Sequence, residues 1–248
     1  MWAKAAVRTF AALDDTDTEG GAFDVLCGYA AGFGADLVSY HHIAPPFVRG
    51  DGEAARENMT LLSRGFPDEW VEEYRRDKLH RIDPITAFAA YQTRPVQWSV
   101  VPSLTRLSPE QQNYMDRLYS WLSPGDGMAV PLFGPSGRHG YVGIGRTRPE
   151  APWSAAQRRT VQAVCESFHL RFCEIRLRGL DKDFELTERE ARILQGMSHG
   201  WTDPMIGATV GLRPDPLSSA IARLLAKMGV LDRPSAVLRA RGLGLVES

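Results

Sequence analysis

Cysteine is scarce in this chain, with three among 248 residues: Cys27, Cys165 and Cys173. They are too few and too scattered for a disulfide framework or for the paired ligands of a zinc site. We therefore expect reduced thiols, no metal and no cofactor, which is typical of a cytosolic protein.

A large net charge and a long apolar run are also missing. The formal net charge is −1, so no global basic field points to nucleic acid. No stretch approaches the roughly 18 apolar residues of a membrane span. The first apolar residues of the chain are soon followed by acidic ones, which is wrong for a secretory signal. We expect a cytoplasmic protein with no membrane partner.

The sequence lacks the common catalytic motifs. It contains no Gly-rich phosphate loop, no nucleophile elbow and no HExxH zinc motif. His41 and His42 lie near Asp36, but successive side chains of a strand point to opposite faces, so the pair cannot chelate one metal ion. We predict that the chain is not an enzyme and has no catalytic residue.

The apolar pattern of the first 178 residues predicts a mixed α and β domain. A chain with 44% hydrophobic and 24% charged residues has the composition of an ordinary globular protein. Apolar residues in Ser154 to Leu177 recur every three or four positions, which predicts a long amphipathic helix. The other predicted elements are helices at 22–34, from Pro67, at 84–93 and at 109–122, strands at 35–43, 127–132 and 140–144, and a loop with a helical piece at 46–64.

The remaining residues predict a small helical domain behind a polar linker at 179–184. Thr187 and Glu190 form a capping box for the first of four short helices in residues 185–248. Because a residue before proline is disfavoured in the helical region, we expect the third helix to begin after Asp215 as its cap and to end near Met228.

This tail resembles the LuxR-type helix-turn-helix domain, and the match continues without gaps over about 60 residues. The residues that carry it are Leu186 to Leu194, Gly200, Ile206, Val210 to Leu212, Lys227 to Val230, Arg233, Ala236, Val237 and Leu243 to Leu245.

The front of the chain resembles the autoinducer-binding domain of the same family. The resemblance rests on Trp70, Tyr74, Asp83-Pro84, Trp98 and Gly127 at matching intervals, and it covers roughly residues 20–178. It implies an α+β protein: an α/β/α sandwich with an antiparallel sheet in residues 1–178, followed by an all-α four-helix domain in residues 185–248. It also implies an N-acyl-homoserine lactone as ligand.

The resemblance assigns roles in the ligand pocket. Trp70 would donate its indole N–H to the lactone carbonyl, and Asp83, next to Pro84, would accept the ligand amide N–H. Tyr74 and Trp98 would wall the acyl chain and the ring. An unpaired buried aspartate is costly, so we expect the ligand amide to relieve it and to couple binding to folding. Alternatively, Asp83 is a plain helix cap, and both roles can coexist.

Two pocket positions depart from the family pattern. Phe66 stands where a tyrosine often contacts the acyl carbonyl, and Gly143 stands near a usual serine or threonine. Both changes remove a hydrogen bond at the amide end. Gly140, Gly143 and Gly145 also suggest room for a bulky, long or aromatic acyl group. The alternative is a different ligand, or none.

The DNA-binding end departs further. The residue types that contact phosphates remain at Thr202, Arg213, Ser218, Ser219, Arg223 and Lys227. A lysine and a histidine expected on the exposed face of the recognition helix are replaced by Ser218 and Ala220, and the preceding helix has Pro204 and Met205 where lysine and glutamate are usual. Basic and acidic residues balance after Leu180, whereas a DNA-binding module is usually positive.

Two functions therefore remain open. The first is a ligand-gated regulator that binds double-stranded DNA as a homodimer, paired through the helix at 154–178. The second is a modulator with weak or no DNA binding, which acts by forming a heterodimer with another LuxR-type regulator.

Overall fold

A computed structural model describes residues 2–43, 59–123, 125–148, 151–180 and 186–246. The chain divides into two compact units. The first holds a five-stranded sheet with the helices around it, and the second holds the four C-terminal helices. The observed architecture confirms the predicted α+β class.

The sheet of the first unit has the strand order β2-β1-β5-β4-β3. The strands are β1 (Leu37–Ile43), β2 (Met59–Arg64), β3 (Val96–Gln97), β4 (Asp126–Phe133) and β5 (His139–Arg146). β4 and β5 form the predicted antiparallel hairpin, in which Gly127 pairs with Gly145 and Ala129 with Gly143. This register places two glycines of β5 opposite small residues of β4.

Among the described residues, seven α-helices surround the sheet. They are α1 (Trp2–Asp14), α2 (Glu19–Ala31), α3 (Asp68–Arg76), α4 (Pro84–Ala89), α5 (Val101–Leu104), α6 (Pro109–Leu122) and α7 (Ala155–Leu180). The long helix predicted at 154–177 is confirmed as α7. Its last two residues, 179 and 180, were expected to belong to the linker, and residues 181–184 of that linker lie outside the described part of the chain.

The two faces of β1 meet different layers because its side chains alternate. Tyr40 contacts the rings of Phe168 and Phe172 on α7 with centroid distances of 4.7 and 4.8 Å. His41 points the other way and contacts Tyr74 of α3 at 5.4 Å. The sheet is therefore covered on both faces, and the two histidines of β1 lie on opposite sides, as predicted.

Some elements differ from the predictions. Residues 59–64 form strand β2 rather than the end of a loop with a helical piece, and residues 46–58 of that prediction lie outside the described part of the chain. Helix α4 ends at Ala89, earlier than expected. Helix α1 was not predicted, although Ala6, Thr9 and Leu13 recur at helical spacing and are buried.

The second unit consists of α8 (Glu188–Ser198), α9 (Asp203–Val210), α10 (Pro214–Lys227) and α11 (Arg233–Leu243). The capping box predicted for α8 is confirmed: Thr187 Oγ1 accepts from the Glu190 amide, and the Glu190 carboxylate accepts from the Thr187 amide at 2.8 Å. α9 ends at Gly211, whose φ of +69° favours glycine. Ile193, Leu194, Ile206, Leu224 and Met228 are among the core residues of this unit.

The start predicted for α10 was wrong. The helix begins at Pro214 with Arg213 as its N-cap, so Asp215 and Pro216 lie inside the first turn. The backbone N–H groups of a first turn have no partner within the helix, so prolines at its first and third positions break no hydrogen bond. The first helical bond, from the amide of Leu217 to the carbonyl of Arg213, is intact at 3.0 Å.

Two expectations from the sequence concern membrane spans and the state of the cysteines. None of the helices in the described residues is both long and apolar enough to cross a membrane. Cys27, Cys165 and Cys173 are buried and form no disulfide with one another. Burial raises the pKa of Cys27 to about 11, so this thiol is protonated and unreactive at neutral pH.

Candidate ligand cavity and nucleic-acid face

A cavity of about 30 Å³ lies in the first unit, between the sheet and helices α3 and α6. Five of the eight predicted ligand-contacting residues line it: Phe66, Trp70, Tyr74, Asp83 and Trp98. Pro84, Gly127 and Gly143 are not among the lining residues. The aromatic walls and the single buried carboxylate match the description of a small-molecule site, which is mostly apolar with a few fixed polar groups.

Asp83 is fully paired within the protein, contrary to our expectation that a ligand must relieve it. Its Oδ1 caps α4 by accepting from the amides of Ile85 at 2.8 Å and Thr86 at 3.2 Å. Its Oδ2 accepts from the hydroxyls of Tyr74 and Thr86, both at 2.8 Å. The helix-cap role that we held as an alternative is therefore realised, and folding does not need the ligand to satisfy this carboxylate.

Burial nevertheless controls the protonation of Asp83. Removal from water raises the pKa of its carboxyl, and the four hydrogen bonds partly offset that rise. Burial and the nearby Asp83 carboxylate likewise raise the pKa of Tyr74 and Tyr114 well above their usual value. Both phenols are therefore protonated at neutral pH and able to donate hydrogen bonds.

Trp98 lies on a bed of three glycines, which we define as Gly127, Gly143 and Gly145. A Cβ atom on Gly127 would be 2.2 Å from the indole, and one on Gly143 or Gly145 would be 3.0 or 3.1 Å from it. Within the described chain, the indole Nε1 is buried without a hydrogen-bond partner. The glycines thus make room for a tryptophan of the protein itself.

The space at Gly140 and Gly143 is also taken by the protein, which corrects our expectation that it admits a larger acyl group. A Cβ atom on Gly143 would lie 2.6 Å from Ser39 Oγ and 2.7 Å from the Tyr141 hydroxyl. One on Gly140 would lie 3.2 Å from the ring of His169. The hydroxyl that position 143 lacks is thus supplied nearby by Ser39 and Tyr141.

Aromatic rings fix the positions of Phe66 and Trp70. Both contact Trp121, with ring centroids 5.9 and 5.6 Å away, and Trp70 also contacts Tyr114 of α6 at 5.5 Å. The guanidinium of Arg117 lies 5.6 Å from the Trp70 ring and also pairs with Glu73. The indole is thus held by neighbours on several sides.

His41 is one of the cavity residues that our sequence reasoning missed. It lines the cavity together with Ser39 and Tyr141, neither of which was predicted. Alternation along the strands could have found these residues. Side chains two positions apart share a face, as Ser39 and His41 do on β1 and as Tyr141 and Gly143 do on β5. We considered His41 only for a metal or acid–base site and therefore did not place it in the cavity.

Helix α10 carries the candidate nucleic-acid face. Arg213, Ser218, Ser219 and Arg223 are exposed, as is Thr202, which caps α9 without a side-chain hydrogen bond. Ala220 is 9% exposed, in contact range of the core, so our placement of this residue on the outward face was wrong.

Two features weaken this face as a phosphate-binding surface. The side chain of Lys227 forms an ion pair with Glu190 at 2.8 Å, so part of its charge is already neutralised. The first three positions of α10 are Pro214, Asp215 and Pro216, which together offer one backbone N–H and place a carboxylate beside it. A helix N-terminus attracts phosphate through free N–H groups and positive potential, and both are reduced here.

Comparisons with known proteins agree with this architecture. Residues 18–172 match the family model described as autoinducer binding domain. The chain is 23% identical over 243 residues to the transcriptional activator protein AhyR of Aeromonas hydrophila, covering 92% of this chain and 87% of that protein. It is 24% identical over 185 residues to the quorum sensing-dependent regulator RpaR of Rhodopseudomonas palustris, covering 75% and 74%.

Solved structures share the fold over nearly the whole chain. The structure of Escherichia coli SdiA aligns with a TM-score of 0.70 at 14% identity and covers 98% of each chain. SdiA in complex with octanoyl-rac-glycerol aligns with a TM-score of 0.69 at 13% identity.

A ligand-binding α/β/α domain followed by a four-helix unit of this kind defines a sensor-type transcription factor. The chain belongs to the autoinducer-binding family and is a LuxR-type quorum-sensing transcriptional regulator. This is a family of transcription factors, not of enzymes.

Proposed function

We propose that the chain senses an N-acyl-homoserine lactone and, as a homodimer, binds double-stranded DNA. The observation that carries this proposal is a buried carboxylate, Asp83, in a cavity walled by Trp70, Tyr74 and Trp98. A lactone with an amide and an apolar tail needs one acceptor, one donor and apolar walls, and this cavity offers each of them.

Asp83 can accept a ligand amide although it is already paired. Two of its four donors are the hydroxyls of Tyr74 and Thr86, which can rotate away, whereas the two backbone donors are fixed by α4. The ligand would then exchange one hydrogen bond for another at little cost.

Native mass spectrometry of the full chain, expressed with and without a panel of acyl-homoserine lactones, tests this proposal. We expect a bound lactone that is lost or greatly reduced in Asp83→Asn. The asparagine keeps a carbonyl oxygen for the two α4 amides but offers no second acceptor to the ligand amide. Ser103→Ala, on the exposed side of α5, is the control. A folded wild-type protein that retains no lactone would contradict the proposal.

Octanoyl-rac-glycerol belongs in the same panel because a structural neighbour, SdiA, has been solved with it. Its ester and hydroxyl groups carry no amide N–H. Asp83→Asn should therefore weaken lactone binding much more than the binding of this ester. An equal loss of both ligands would show that the substitution disturbs the cavity and does not remove a bond to the amide.

Helix α7 is the proposed dimer contact. One face is buried, through Val164, Phe168 and Phe172 among others, yet Leu170 remains 47% exposed on the same helix. An exposed leucine on a long helix suits a two-fold helix pair. Leu170→Glu should convert a dimer to a monomer in sedimentation velocity, whereas Glu174→Ala on the same helix should not.

The start of α10 supports a second function, the modulator that pairs with another LuxR-type regulator and binds DNA weakly. Pro214 and Pro216 remove two N–H donors, and Asp215 adds a negative charge where phosphate would lie. Fluorescence anisotropy with a pool of random duplexes, followed by selection of bound sequences, separates the two functions. Enrichment of a two-fold sequence supports the DNA-binding regulator, and binding no tighter than that of a scrambled duplex supports the modulator.

A further inference from the structure

His41 is a buried polar side chain that faces the ligand cavity. It is 3% exposed and lies on β1 between two tyrosine rings, 5.4 Å from that of Tyr74 and 4.8 Å from that of Tyr141. Its neighbour on the same face of the strand, Ser39, also lines the cavity. Packing between these two rings holds the imidazole in place.

The Nδ1 atom of His41 has no hydrogen-bond partner among the described residues. Most buried polar groups in proteins are paired, and an exception commonly marks a place that a ligand or water completes. Two polar groups beside it are already engaged: Asp83 accepts four bonds, and Tyr74 donates one of them.

The charge of His41 limits what can pair with it. Burial, with a smaller contribution from the nearby His80, lowers its pKa to about 3, so the ring is neutral at physiological pH. A neutral imidazole has one N–H donor and one nitrogen acceptor, so it suits a hydroxyl or a carbonyl oxygen. A cation or an anion would find no opposite charge on this ring.

The position of His41 indicates which part of the ligand it would contact. The ring of Tyr74 contacts His41 with one side, while its hydroxyl binds Asp83 at 2.8 Å. His41 is therefore separated from the amide-binding carboxylate by a single tyrosine ring. A ligand whose amide lies at Asp83 places the first carbons of its acyl chain near this histidine.

We propose that His41 selects acyl-homoserine lactones whose acyl group carries a hydroxyl or carbonyl oxygen close to the amide, and that Nδ1 of His41 forms a hydrogen bond with that oxygen. This inference rests on the proposed lactone-sensing function. A purely alkyl chain would leave the nitrogen buried and unpaired, so we expect it to bind about ten- to a hundredfold more weakly.

A competition among matched ligands tests the inference. The full chain is expressed with an equimolar mixture of hexanoyl-homoserine lactone and its hydroxy and oxo forms, oxygenated on the third acyl carbon. The retained lactones are then extracted from the purified protein and quantified. The wild-type protein should retain an oxygenated form at least about tenfold over the alkyl form. The same mixture of decanoyl lactones tests whether chain length changes the preference.

Variants at position 41 assign the preference to the histidine. His41→Leu and His41→Met should lose the preference while still retaining the alkyl lactone, and His41→Gln, which keeps a hydrogen-bonding group, should preserve part of it. His139→Leu, an exposed histidine at the start of β5, is the matched control and should behave as the wild type. Two apolar replacements are included so that poor folding of one does not decide the outcome.

The outcomes separate this inference from the proposed function. Retention of all three lactones in equal amounts, or an unchanged preference in both apolar variants, overturns the role of His41 and leaves lactone sensing intact. Retention of no lactone by a folded wild-type protein overturns both.

Discussion

The indole of Trp98 lies against Gly127 so closely that a Cβ atom on the glycine would be 2.2 Å from Cε3 of the ring. Because the atom in the way belongs to a rigid indole that is itself buried, the contact cannot be relieved by a small rotation. Trp98 and Gly127 therefore form one packing unit at the floor of the cavity.

This contact predicts that Gly127→Ala is destabilising although alanine is usually the better residue in ordered structure. We expect a loss of about 1–3 kcal/mol in the free energy of unfolding, typical of overpacking. Urea unfolding followed by tryptophan fluorescence measures it. Gly28→Ala is the control, because a Cβ atom there meets nothing within 4 Å in helix α2; it should be neutral or stabilising by up to about 1 kcal/mol.

Gly143→Ser, which introduces the hydroxyl usual in the family, should weaken rather than improve ligand binding. Its side chain would collide with Ser39 Oγ and the Tyr141 hydroxyl, at 2.6 and 2.7 Å from the new Cβ atom. We expect reduced lactone retention by Gly143→Ser, and partial recovery when Tyr141→Phe is added, because the second change removes one of the two oxygens. Unchanged or improved retention in the single variant would contradict the packing described here.

Asp83 should make the protein lose stability as pH rises through the acidic range. Burial raises its pKa, so the folded protein holds this proton at pH values where the unfolded chain releases it. The stability contributed in this way is complete below the ordinary carboxyl pKa and is lost as pH rises to the folded value. Asp83→Asn removes this dependence. As pH rises from 4 to 7, the free energy of unfolding of the variant should therefore increase relative to that of the wild type. A constant difference across that range would show that the carboxyl pKa is not raised.

His41 should act in the opposite direction. Its pKa is lowered from 6.5 to about 3, so below pH 6.5 the unfolded chain binds a proton that the folded protein does not. This lowers the stability by about 2 kcal/mol between pH 7 and pH 5. His41→Leu should remove that part of the acid sensitivity, as measured by urea unfolding at both pH values. His139→Leu, at an exposed site, should leave it unchanged.

Two alanines on α10 should respond differently to the same substitution. Ala220 is buried and Ala222 is exposed. Ala220→Lys should lower the stability of the C-terminal helices by about 1–3 kcal/mol, whereas Ala222→Lys should stay within about 0.5 kcal/mol of the wild type. Hydrogen–deuterium exchange of the α8–α11 amides in the full chain measures both. Equal protection in the two variants would contradict the burial of Ala220.

Added positive charge at the exposed serines should create or strengthen DNA binding. We expect the double variant Ser218→Lys with Ser219→Lys to bind a random duplex more tightly. The slope of log affinity against log salt should steepen by roughly 0.9 for each new phosphate contact. Replacing both serines with glutamine, which is of similar length but uncharged, is the control. An unchanged salt slope in the lysine variant would place these residues away from the DNA.

The periodic parts of the fold were predictable from sequence. The long helix at α7, the β4–β5 hairpin and the capping box of Thr187 and Glu190 each have a local signature in residue spacing. β2 and α1 were missed. The intermediate burial of β2 gives no clean alternation, and the apolar face of α1 is narrow.

The cavity was predictable only in part. The family resemblance indicated several residues that line it, but not the residues that these contact. Trp70, Tyr74, Asp83 and Trp98 line it, as implied. The bonds from Ile85 and Thr86 to Asp83 are local and match the helix-cap alternative. The bond from Tyr74 and the filling of the glycine positions by Trp98, Ser39 and Tyr141 depend on contacts between different elements. The predicted start of α10 was two residues too late. We relied on the rule that a residue before proline avoids the helical conformation, but the first turn of a helix tolerates proline.

The glycine bed beneath Trp98 has a consequence for changing what the cavity accepts. In a selection for new ligands that alters one position at a time, a side chain at Gly127 would collide with the indole. One at Gly143 would collide with Ser39 and Tyr141, and one at Gly145 would press on the indole and Leu37. Replacing Trp98 alone would also be costly, because a smaller side chain leaves a void above the three glycines. A route to a reshaped cavity therefore runs through paired substitutions, a smaller ring at 98 together with a larger residue beneath it, and libraries that vary these four positions jointly should contain solutions that stepwise mutagenesis does not reach.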